Sequence, residues 1–294
     1  MPFKARAQHD APEIDLFLNY EIEFFNLGAF MSKSTCLVFL ILSLIFSGCA
    51  STPKEEDINA MSLKAYNEVK AKSKISTNKE WTEMLNRVAP RIAKASGENF
   101  KWEWMLIESP EVNAWCMPGG KMAVYTGIMP VLKNEAALAA VLGHEVAHAT
   151  KRHGKERYAR AAKSNILGAV VGVGAAVGGQ LLCKTDTCRL LAGLGGAAGG
   201  FAVAFFDMKY SRGDETEADK FGQEYMADAG YPPSEAIKLW ERMGAASGGK
   251  APPEFMSTHP SDKTRRENLS KWLPAAESRY QRSTQKYGLG QAIN

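Results

Sequence analysis

The sequence predicts an α+β fold that is mostly helical and contains a small β-sheet. Helical spacing of apolar residues supports the first part of this prediction, and two further patterns support the second. Residues 100–109 alternate apolar and polar side chains, and residues 113–127 have two apolar runs around a turn at 118–120. The helical segments are residues 59–72, 79–95, 135–154 and 211–229, one that ends near 246, and one that follows Pro260.

Local signals predict the ends and breaks of these segments. Asn134 can cap the helix that begins at Glu135, which is expected to continue to about Gly154. Pro90 is expected to kink or split its helix, because proline lacks the backbone N–H. The domain boundaries predicted from these signals are a tether at 49–58, a folded domain at 59–275 and a disordered tail at 276–294.

Size and charge narrow the classes of function. The chain has 294 residues, of which 45% are hydrophobic, enough for one substantial core with or without an added subdomain. Its formal net charge is +4, and the Lys and Arg residues are spread along the chain rather than gathered into a stripe. We therefore expect no nucleic-acid partner.

The N-terminal region predicts export and lipid attachment. An apolar run within residues 31–48 is too short for a transmembrane helix and is typical of a signal peptide. The residues before Cys49 resemble a bacterial lipobox, except that Phe46 stands where leucine is usual, so Cys49 is expected to carry a lipid. Because a signal peptide normally begins a chain, residues 1–30 are expected to be a mis-called extension. An ordinary signal peptide and a membrane anchor are the alternatives to the lipoprotein signal peptide.

Residues 164–206 are almost free of charge and rich in Gly and Ala, which predicts a helical hairpin. The hairpin is expected to pack on the core or at the membrane surface, because so many glycines weaken a membrane-inserted helix. A transmembrane hairpin is the alternative. Cys183 and Cys188 are expected to close a small disulfide loop outside the cytoplasm, which leaves Cys116 as a free thiol.

The segment LGHEVAHATKRH, residues 142–153, predicts a zinc site. His144 and His148 are four residues apart on a predicted helix, so both imidazoles lie on one face and can bind one ion. With Glu145 they form the HExxH pattern, in which the glutamate takes a proton from water. The apolar run before the motif places this helix in the core, which disfavours the alternative of a solvated face.

A catalytic zinc ion needs a third protein ligand. His153 is one candidate, but on a continuing helix it would turn away from the metal face, so a structural role is expected. Glu215 and Asp219 are four residues apart on one face of another predicted helix. Glu215 suits a ligand, and Asp219 suits a carboxylate that accepts a hydrogen bond from a ligating histidine.

Three segments, residues 113–127, 142–153 and 211–219, resemble the membrane-associated zinc metallopeptidases that include the CAAX prenyl endopeptidase, HtpX and the outer-membrane lipoprotein proteases BepA and LoiP. The resemblance covers roughly residues 60–272 and implies a zincin-like domain with one Zn²⁺ ion per chain. It implies Glu145 as the general base. The implied metal set consists of the ligands His144, His148 and Glu215, with Asp219 behind them.

The resemblance extends to a substrate edge and to a downstream segment. Asn113, Gly119 and Gly120 belong to an edge to which a substrate strand can add. The chain has Trp-Cys-Met within this edge where the family usually has Phe-Ala-Leu, a difference that can alter substrate preference. The segment STHPSDKTR implies that His259 approaches zinc in a closed state and that Arg265 stabilises the oxyanion. An ordinary helix start and a surface ion pair are the alternatives.

The resulting expectation is a zinc-dependent endopeptidase of the bacterial cell envelope that cleaves damaged or misassembled envelope proteins through a metal-activated water. The lipobox resemblance implies a lipid-anchored protein in the periplasm, on the outer membrane, since Ala50 rather than an aspartate follows Cys49. The expected partners are protein and peptide substrates, the membrane and the outer-membrane assembly machinery. Two alternatives stay open: an assembly or chaperone factor with a latent or structural zinc site, and an integral membrane protease.

Overall fold

The computed structural model describes residues 53–163, 183, 185–191, 196–246, 254–259 and 263–293. The predicted signal peptide, Cys49 and most of the Gly- and Ala-rich hairpin lie outside the described residues. Within them, helices predominate and three short strands form one sheet, which confirms the predicted α+β class.

The elements of the described residues follow in chain order. The strands are β1 (Glu103–Ile107), β2 (Ala114–Met117) and β3 (Lys121–Tyr125), with a 3₁₀ turn at Thr126–Ile128. The helices are α1 (Glu55–Lys72), α2 (Lys79–Ala95), α3 (Met129–Leu132), α4 (Glu135–Thr150), α5 (His153–Lys163), α6 (Asp186–Leu191), α7 (Gly196–Phe206), α8 (Arg212–Asp228), α9 (Ser234–Ala246), α10 (Glu254–Thr258) and α11 (Lys263–Arg282).

The sheet has the strand order β1-β3-β2, so β2 lies at an edge. β3 pairs parallel with β1 and antiparallel with β2, where Met117 opposes Lys121. The predicted turn joins β2 to β3, and Gly120 adopts a φ of 81° there. A Cβ atom at Gly120 would lie 2.7 Å from the Trp102 ring, so both the conformation and the close contact require glycine.

Helices cover both faces of the sheet, because successive strand side chains point to opposite faces. Met122 and Val124 of β3 join a core built mainly from α2, α4, α8 and α9. Ala123 and Tyr125 of the same strand join a second core with α1 and α7. The helix with the HExxH pattern therefore lies in the interior of the domain, packed on the sheet.

Helix α4 is buried along its whole length and is capped by Asn134, whose side chain accepts a hydrogen bond from the backbone N–H of Ala137. Helix α8 crosses it at a point where both helices have glycine. A Cβ atom at Gly222 would lie 2.7 Å from the backbone nitrogen of His144. The two backbones therefore approach closely, which positions the acidic residues of α8 against the histidines of α4.

Two helices differ from the sequence prediction. Helix α4 ends at Thr150 rather than near Gly154, because Arg152 adopts a left-handed φ of 62° and α5 begins at the next residue. Helix α2 is not split at Pro90, which lies on its exposed side. The helix continues on both sides of Pro90, although proline lacks the backbone N–H.

The domain also extends further than predicted at both ends. Helix α1 begins at Glu55, within the predicted tether, and its acidic first turn suits the positive end of the helix dipole. The tail predicted to be disordered continues α11 to Arg282 and then returns to the core. Ile293 is buried and its N–H donates to the carbonyl of Lys133, 2.9 Å away. The structure thus places this segment against the folded domain, where the sequence analysis expected a disordered tail.

None of the described helices is long and apolar enough to cross a membrane.

Candidate metal centre

Three elements bring four metal-binding side chains together. Helix α4 contributes His144 and His148, α8 contributes Glu215, and His259 directly follows α10. One donor atom from each residue lies within 4.8 Å of all the others, and all four residues are buried. The structure thus brings the predicted ligands to one point and adds His259 to them.

The distances between donor atoms are those expected around a tetrahedral ion. Bonds of 2.0–2.1 Å place neighbouring ligands about 3.3–3.4 Å apart in a tetrahedral zinc site. The Nε2 atoms of His144 and His148 are 3.1 Å apart. Glu215 carboxylate oxygens lie 3.4 Å from the Nε2 of His144 and 3.6 Å from that of His148. The donor set therefore fits one zinc ion.

His259 completes the group on a fourth side. Its Nδ1 is 3.2 Å from His144 Nε2 and 3.1 Å from Glu215 Oε1. Its ring stacks on Phe255 at 4.7 Å between centroids, which fixes its orientation. His259 Nε2 also lies 3.5 Å from Glu145 Oε1. In this arrangement, His259 lies between the donor group and Glu145.

Glu145 stands next to the donor group without joining it. The residue is 1% exposed, and its Oε1 has no hydrogen-bond partner among the described residues. Burial raises the pKa of its carboxyl, while the neighbouring charges of His259 and His144 oppose the shift. A carboxylate that accepts protons more readily than usual suits a general base.

Asp219 and Arg265 support the centre from behind. Asp219 Oδ1 lies 3.0 Å from His144 Nδ1, the position predicted for a carboxylate that orients a ligand. Burial alone would raise the pKa of Asp219, but the charge and hydrogen bonds of Arg265 outweigh it and lower this pKa. Burial would likewise raise the pKa of Glu215. The charge of His259 is the largest of the effects that oppose it, and together they lower this pKa well below its ordinary value.

Arg265 is buried against the metal centre. Its guanidinium contacts Asp219 at 2.6 Å and Glu215 at 2.7 Å, and it lies 3.9 Å from the centre of the Trp240 ring. Arg265 is 4% exposed, so the alternative of a surface ion pair is wrong. The observed contacts support a role in holding the metal-side carboxylates, and the oxyanion contact stays a prediction.

His153 takes a supporting place, for a reason different from the predicted one. The break at Arg152 turns His153 back, so that its Nδ1 lies 2.9 Å from His148 Nδ1. Its Nε2 contacts the carboxylate of Glu217 at 3.1 Å. His153 therefore contacts a predicted ligand from behind instead of rotating away on a continuing helix.

Tyr210 belongs to the site although the sequence analysis missed it. Its ring stacks on His148 with centroids 3.8 Å apart, and burial is the main cause that raises its pKa. Tyr210 directly precedes Ser211, which caps α8 and forms a capping box with Asp214. Tyr210 thus lies one residue before the cap of the helix that carries Glu215. This position in the sequence could have identified Tyr210 as a residue of the site.

The residues of the predicted substrate edge lie at opposite ends of β2. Asn113 lines a cavity next to Glu145. Gly119 and Gly120 lie in the turn after β2, where Gly119 faces Asn59 of α1. Of the three predicted edge residues, the structure therefore brings Asn113 to the cavity beside the general base.

A disulfide joins Cys183 and Cys188, and Cys116 is a buried free thiol. The segment between the bridged cysteines carries Thr185 and Thr187, which line the same cavity beside Glu145. Thr187 also contacts the hydroxyl of Tyr125 in β3 at 2.7 Å. The bridged loop is thus attached to the sheet next to the metal centre.

Comparison with known proteins agrees with this geometry. Residues 76–273 match the model of Peptidase family M48. Mitochondrial metalloendopeptidase OMA1 of Schizosaccharomyces pombe is 39% identical over 196 residues, which are 66% of this chain and 53% of that protein. The OMA1 protein of Saccharomyces cerevisiae is 36% identical, with the same two shares. The beta-barrel assembly-enhancing protease of Escherichia coli K12 is 27% identical over 63% of this chain and 37% of its own length.

The chain thus spans about half, or less, of the length of these relatives. The family match includes all four donor residues and most of the folded domain. It confirms the resemblance seen in the sequence: this chain belongs to peptidase family M48.

Proposed function

We propose that this protein is a zinc-dependent endopeptidase that binds one Zn²⁺ ion through His144, His148 and Glu215. The donor spacing of 3.1–3.6 Å among these three residues is the observation that carries the proposal. Glu145, buried directly beside them, supplies the group that a hydrolase needs in addition to a metal. A purely structural zinc site would not require this carboxylate.

Each residue has a distinct task in the proposed reaction. When bound, zinc supplies a Lewis acid that polarises the peptide carbonyl and makes water acidic near neutral pH. Glu145 accepts the proton from the attacking water and returns it to the leaving amine. Asp219 holds His144 in the orientation and tautomer that direct its Nε2 toward the ion, and Arg265 holds Asp219 and Glu215.

The observed state is a closed one in this proposal, because His259 stands as a fourth donor. A catalytic zinc ion keeps its fourth position for water, whereas four protein ligands characterise a structural site. A displacement of α10 together with His259 would open that position. This arrangement also supports the second candidate function, an assembly or chaperone factor whose zinc site is latent.

We place the protein in the bacterial cell envelope, with a lipid at Cys49 and damaged or misassembled envelope proteins as substrates. The apolar run that ends at Cys49 supports this location, and so does the similarity to a relative named beta-barrel assembly-enhancing protease. A contact with the outer-membrane assembly machinery follows from the same similarity. Cells given a labelled fatty acid should label the wild-type protein and fail to label Cys49→Ser.

The deciding experiment measures zinc content and casein cleavage on the same purified proteins. Wild type should bind one zinc per chain and cleave casein, and Glu215→Ala should lose both. Glu145→Gln should keep zinc and lose cleavage by about 10²–10⁴-fold. Glu224→Ala removes a carboxylate of the same helix that pairs instead with Arg279, and it should behave as wild type.

Two outcomes would redirect the proposal. Zinc retained in Glu215→Ala would move the third ligand to His259. Zinc bound by wild type without any cleavage, together with a cellular role that persists in Glu145→Gln, would favour the assembly factor.

A further inference from the structure

A further carboxylate of α8 reaches the metal centre from behind, through a histidine. Glu217 lies two residues after Glu215 and two before Asp219, and its Oε2 is 3.1 Å from the Nε2 of His153. The Nδ1 of His153 is in turn 2.9 Å from the Nδ1 of His148. The side chains of Glu217, His153 and His148 therefore form a continuous chain of contacts that ends at a proposed zinc ligand.

This chain of contacts supports His148 as Asp219 supports His144. Asp219 contacts His144 at 3.0 Å, whereas His148 lies one turn further along α4. A metal-binding histidine almost always donates its second ring N–H to a neighbouring group, which fixes its tautomer and orientation. For His148, the neighbour of that second nitrogen is His153. The carboxylate of Glu217 therefore stands one residue further from the metal than that of Asp219.

The three side chains form one consistent set of donors and acceptors when His148 binds a metal ion. The Nε2 of His148 faces the other donor atoms, so the ring hydrogen must be on Nδ1, which then donates to the Nδ1 of His153. A neutral imidazole has one donor nitrogen and one acceptor nitrogen. The Nε2 of His153 thus donates to Glu217, and this hydrogen bond is charge-assisted because its acceptor is a carboxylate.

Stacking alone would not orient the ring of His148. The ring of Tyr210 lies on it with centroids 3.8 Å apart and an angle of 26° between the planes. This contact restrains the plane of the imidazole, but a ring turned by half a rotation in the same plane would stack equally well. Such a ring would present a carbon to His153 and lose the hydrogen bond. The contact with His153 therefore determines which edge of His148 faces the donor group.

The break between α4 and α5 places His153 behind His148. Arg152 adopts a left-handed φ of 62° at this break, a conformation that is unfavourable for a residue other than glycine. Its guanidinium contacts the carboxylates of Glu55 in α1 and Glu98, which hold the break in place. A continuing helix would have turned His153 away from His148. The unusual backbone thus has a local consequence at the metal centre.

We propose that His153 and Glu217 are positioning residues for zinc binding, which hold His148 in the tautomer and orientation that direct its Nε2 to the ion. The inference rests on the proposed function, since it assigns a support to one ligand of the same site. His153 is 2% exposed, whereas the side chain of Glu217 is 47% exposed. The support therefore extends from the protein surface to the ligand, and Glu217 acts through His153.

The test measures the zinc affinity of the full-length protein by competition with a chelator of known affinity. His153→Leu removes both ring nitrogens and should weaken zinc binding by about 10–100-fold. Glu217→Ala should weaken it by about 2–10-fold, the factor for one hydrogen bond. Glu224→Ala removes a carboxylate of the same helix that pairs with Arg279, and it should bind zinc as wild type does.

Two further measurements separate positioning from a general structural role. Addition of Glu217→Ala to His153→Leu should cause no further loss of zinc affinity, because Glu217 acts through His153, whereas independent contributions would add. Nitrogen NMR of the zinc-loaded protein reports the hydrogen on the Nδ1 of His148. This signal should shift in Glu217→Ala and stay unchanged in Glu224→Ala.

Each outcome has a separate meaning. Wild-type zinc affinity in either single variant, additive losses in the double variant, or an unchanged His148 signal in Glu217→Ala would overturn the inference and leave the proposed function intact. If His153→Leu fails to fold, the half-exposed Glu217 still decides the question, through the zinc affinity and the NMR signal of Glu217→Ala. A wild-type protein that binds no zinc would overturn the proposed function itself, and this inference with it.

Discussion

Arg265 forms a buried two-bond ion pair with Asp219, in which Nε lies 2.6 Å from Oδ2 and Nη2 lies 2.6 Å from Oδ1. Asp219 in turn contacts His144 at 3.0 Å. A residue of α11 is therefore linked to the donor group on α4 through a single carboxylate of α8. The orientation of His144 depends on three helices that are distant in sequence.

This link predicts that Arg265→Lys weakens zinc binding although no ligand is changed. Lysine keeps the charge but cannot hold Asp219 and Glu215 with one planar fork. Loss of such supporting contacts typically lowers metal affinity by about 10–100-fold. Competition with a chelator of known affinity measures the effect. Arg266→Lys alters an exposed neighbour and should leave the affinity unchanged; equal affinities for both variants would contradict the role given to Arg265.

The close approach of α8 to α4 predicts that Gly222→Ala destabilises the domain. The added Cβ would lie 2.7 Å from the His144 backbone nitrogen, so the helices must separate. Overpacking of this kind lowers the free energy of unfolding by about 1–3 kcal/mol. Urea unfolding measures the change. Gly244→Ala adds the same methyl group to α9, where no atom lies within 4 Å. This control should be neutral or stabilising by up to about 1 kcal/mol.

Glu135 predicts a pH dependence of stability that is separate from the metal centre. Burial would raise the pKa of this carboxyl, but hydrogen bonds from Tyr231 at 2.7 Å and Arg87 at 3.1 Å outweigh it and lower the pKa below its ordinary value of 4.5. A lowered folded-state pKa contributes stability that is present above the unfolded-state value and is lost as pH falls through the folded-state value.

The free energy of unfolding should therefore fall below about pH 4.5 in part through Glu135. Glu135→Gln should be less stable than wild type at neutral pH, and the difference should shrink as the pH is lowered through this range. Urea titrations at several pH values measure it. A difference that stays constant with pH would show that the charge of Glu135 is not what matters.

His259 predicts a gain of activity upon substitution. His259→Ala removes the fourth donor and leaves that side of the metal to water, so zinc should be retained while casein cleavage rises several-fold. Zinc content measured on the same samples is the control. Loss of zinc in His259→Ala, with loss of cleavage, would make His259 a permanent ligand rather than a gate.

Local sequence pattern determined the secondary structure around the metal centre and the face on which the two histidines of the HExxH pattern lie. The four-residue spacing of His144 and His148 on an apolar helix predicts their common face, because helical geometry alone decides it. The apolar runs on either side of the turn at 118–120 likewise predict the β2–β3 hairpin. The prediction of Glu215 as a ligand rests on its helical pair with Asp219 and on a resemblance of motifs, both of which are readable along the chain.

Tertiary structure decided the contacts between distant segments. His259 contacts His144 across 115 residues of sequence. The family resemblance implied this approach, but no local pattern indicates whether a downstream histidine faces a metal or solvent. The direction of Arg265 toward carboxylates and the burial of Arg157 were equally hidden, since arginine is normally exposed. The C-terminal segment was also not predictable from local pattern. Backbone hydrogen bonds to the start of a helix that is distant in sequence hold it on the domain. Periodicity reports which face of an element is buried, whereas the partners on that face depend on how the whole chain packs.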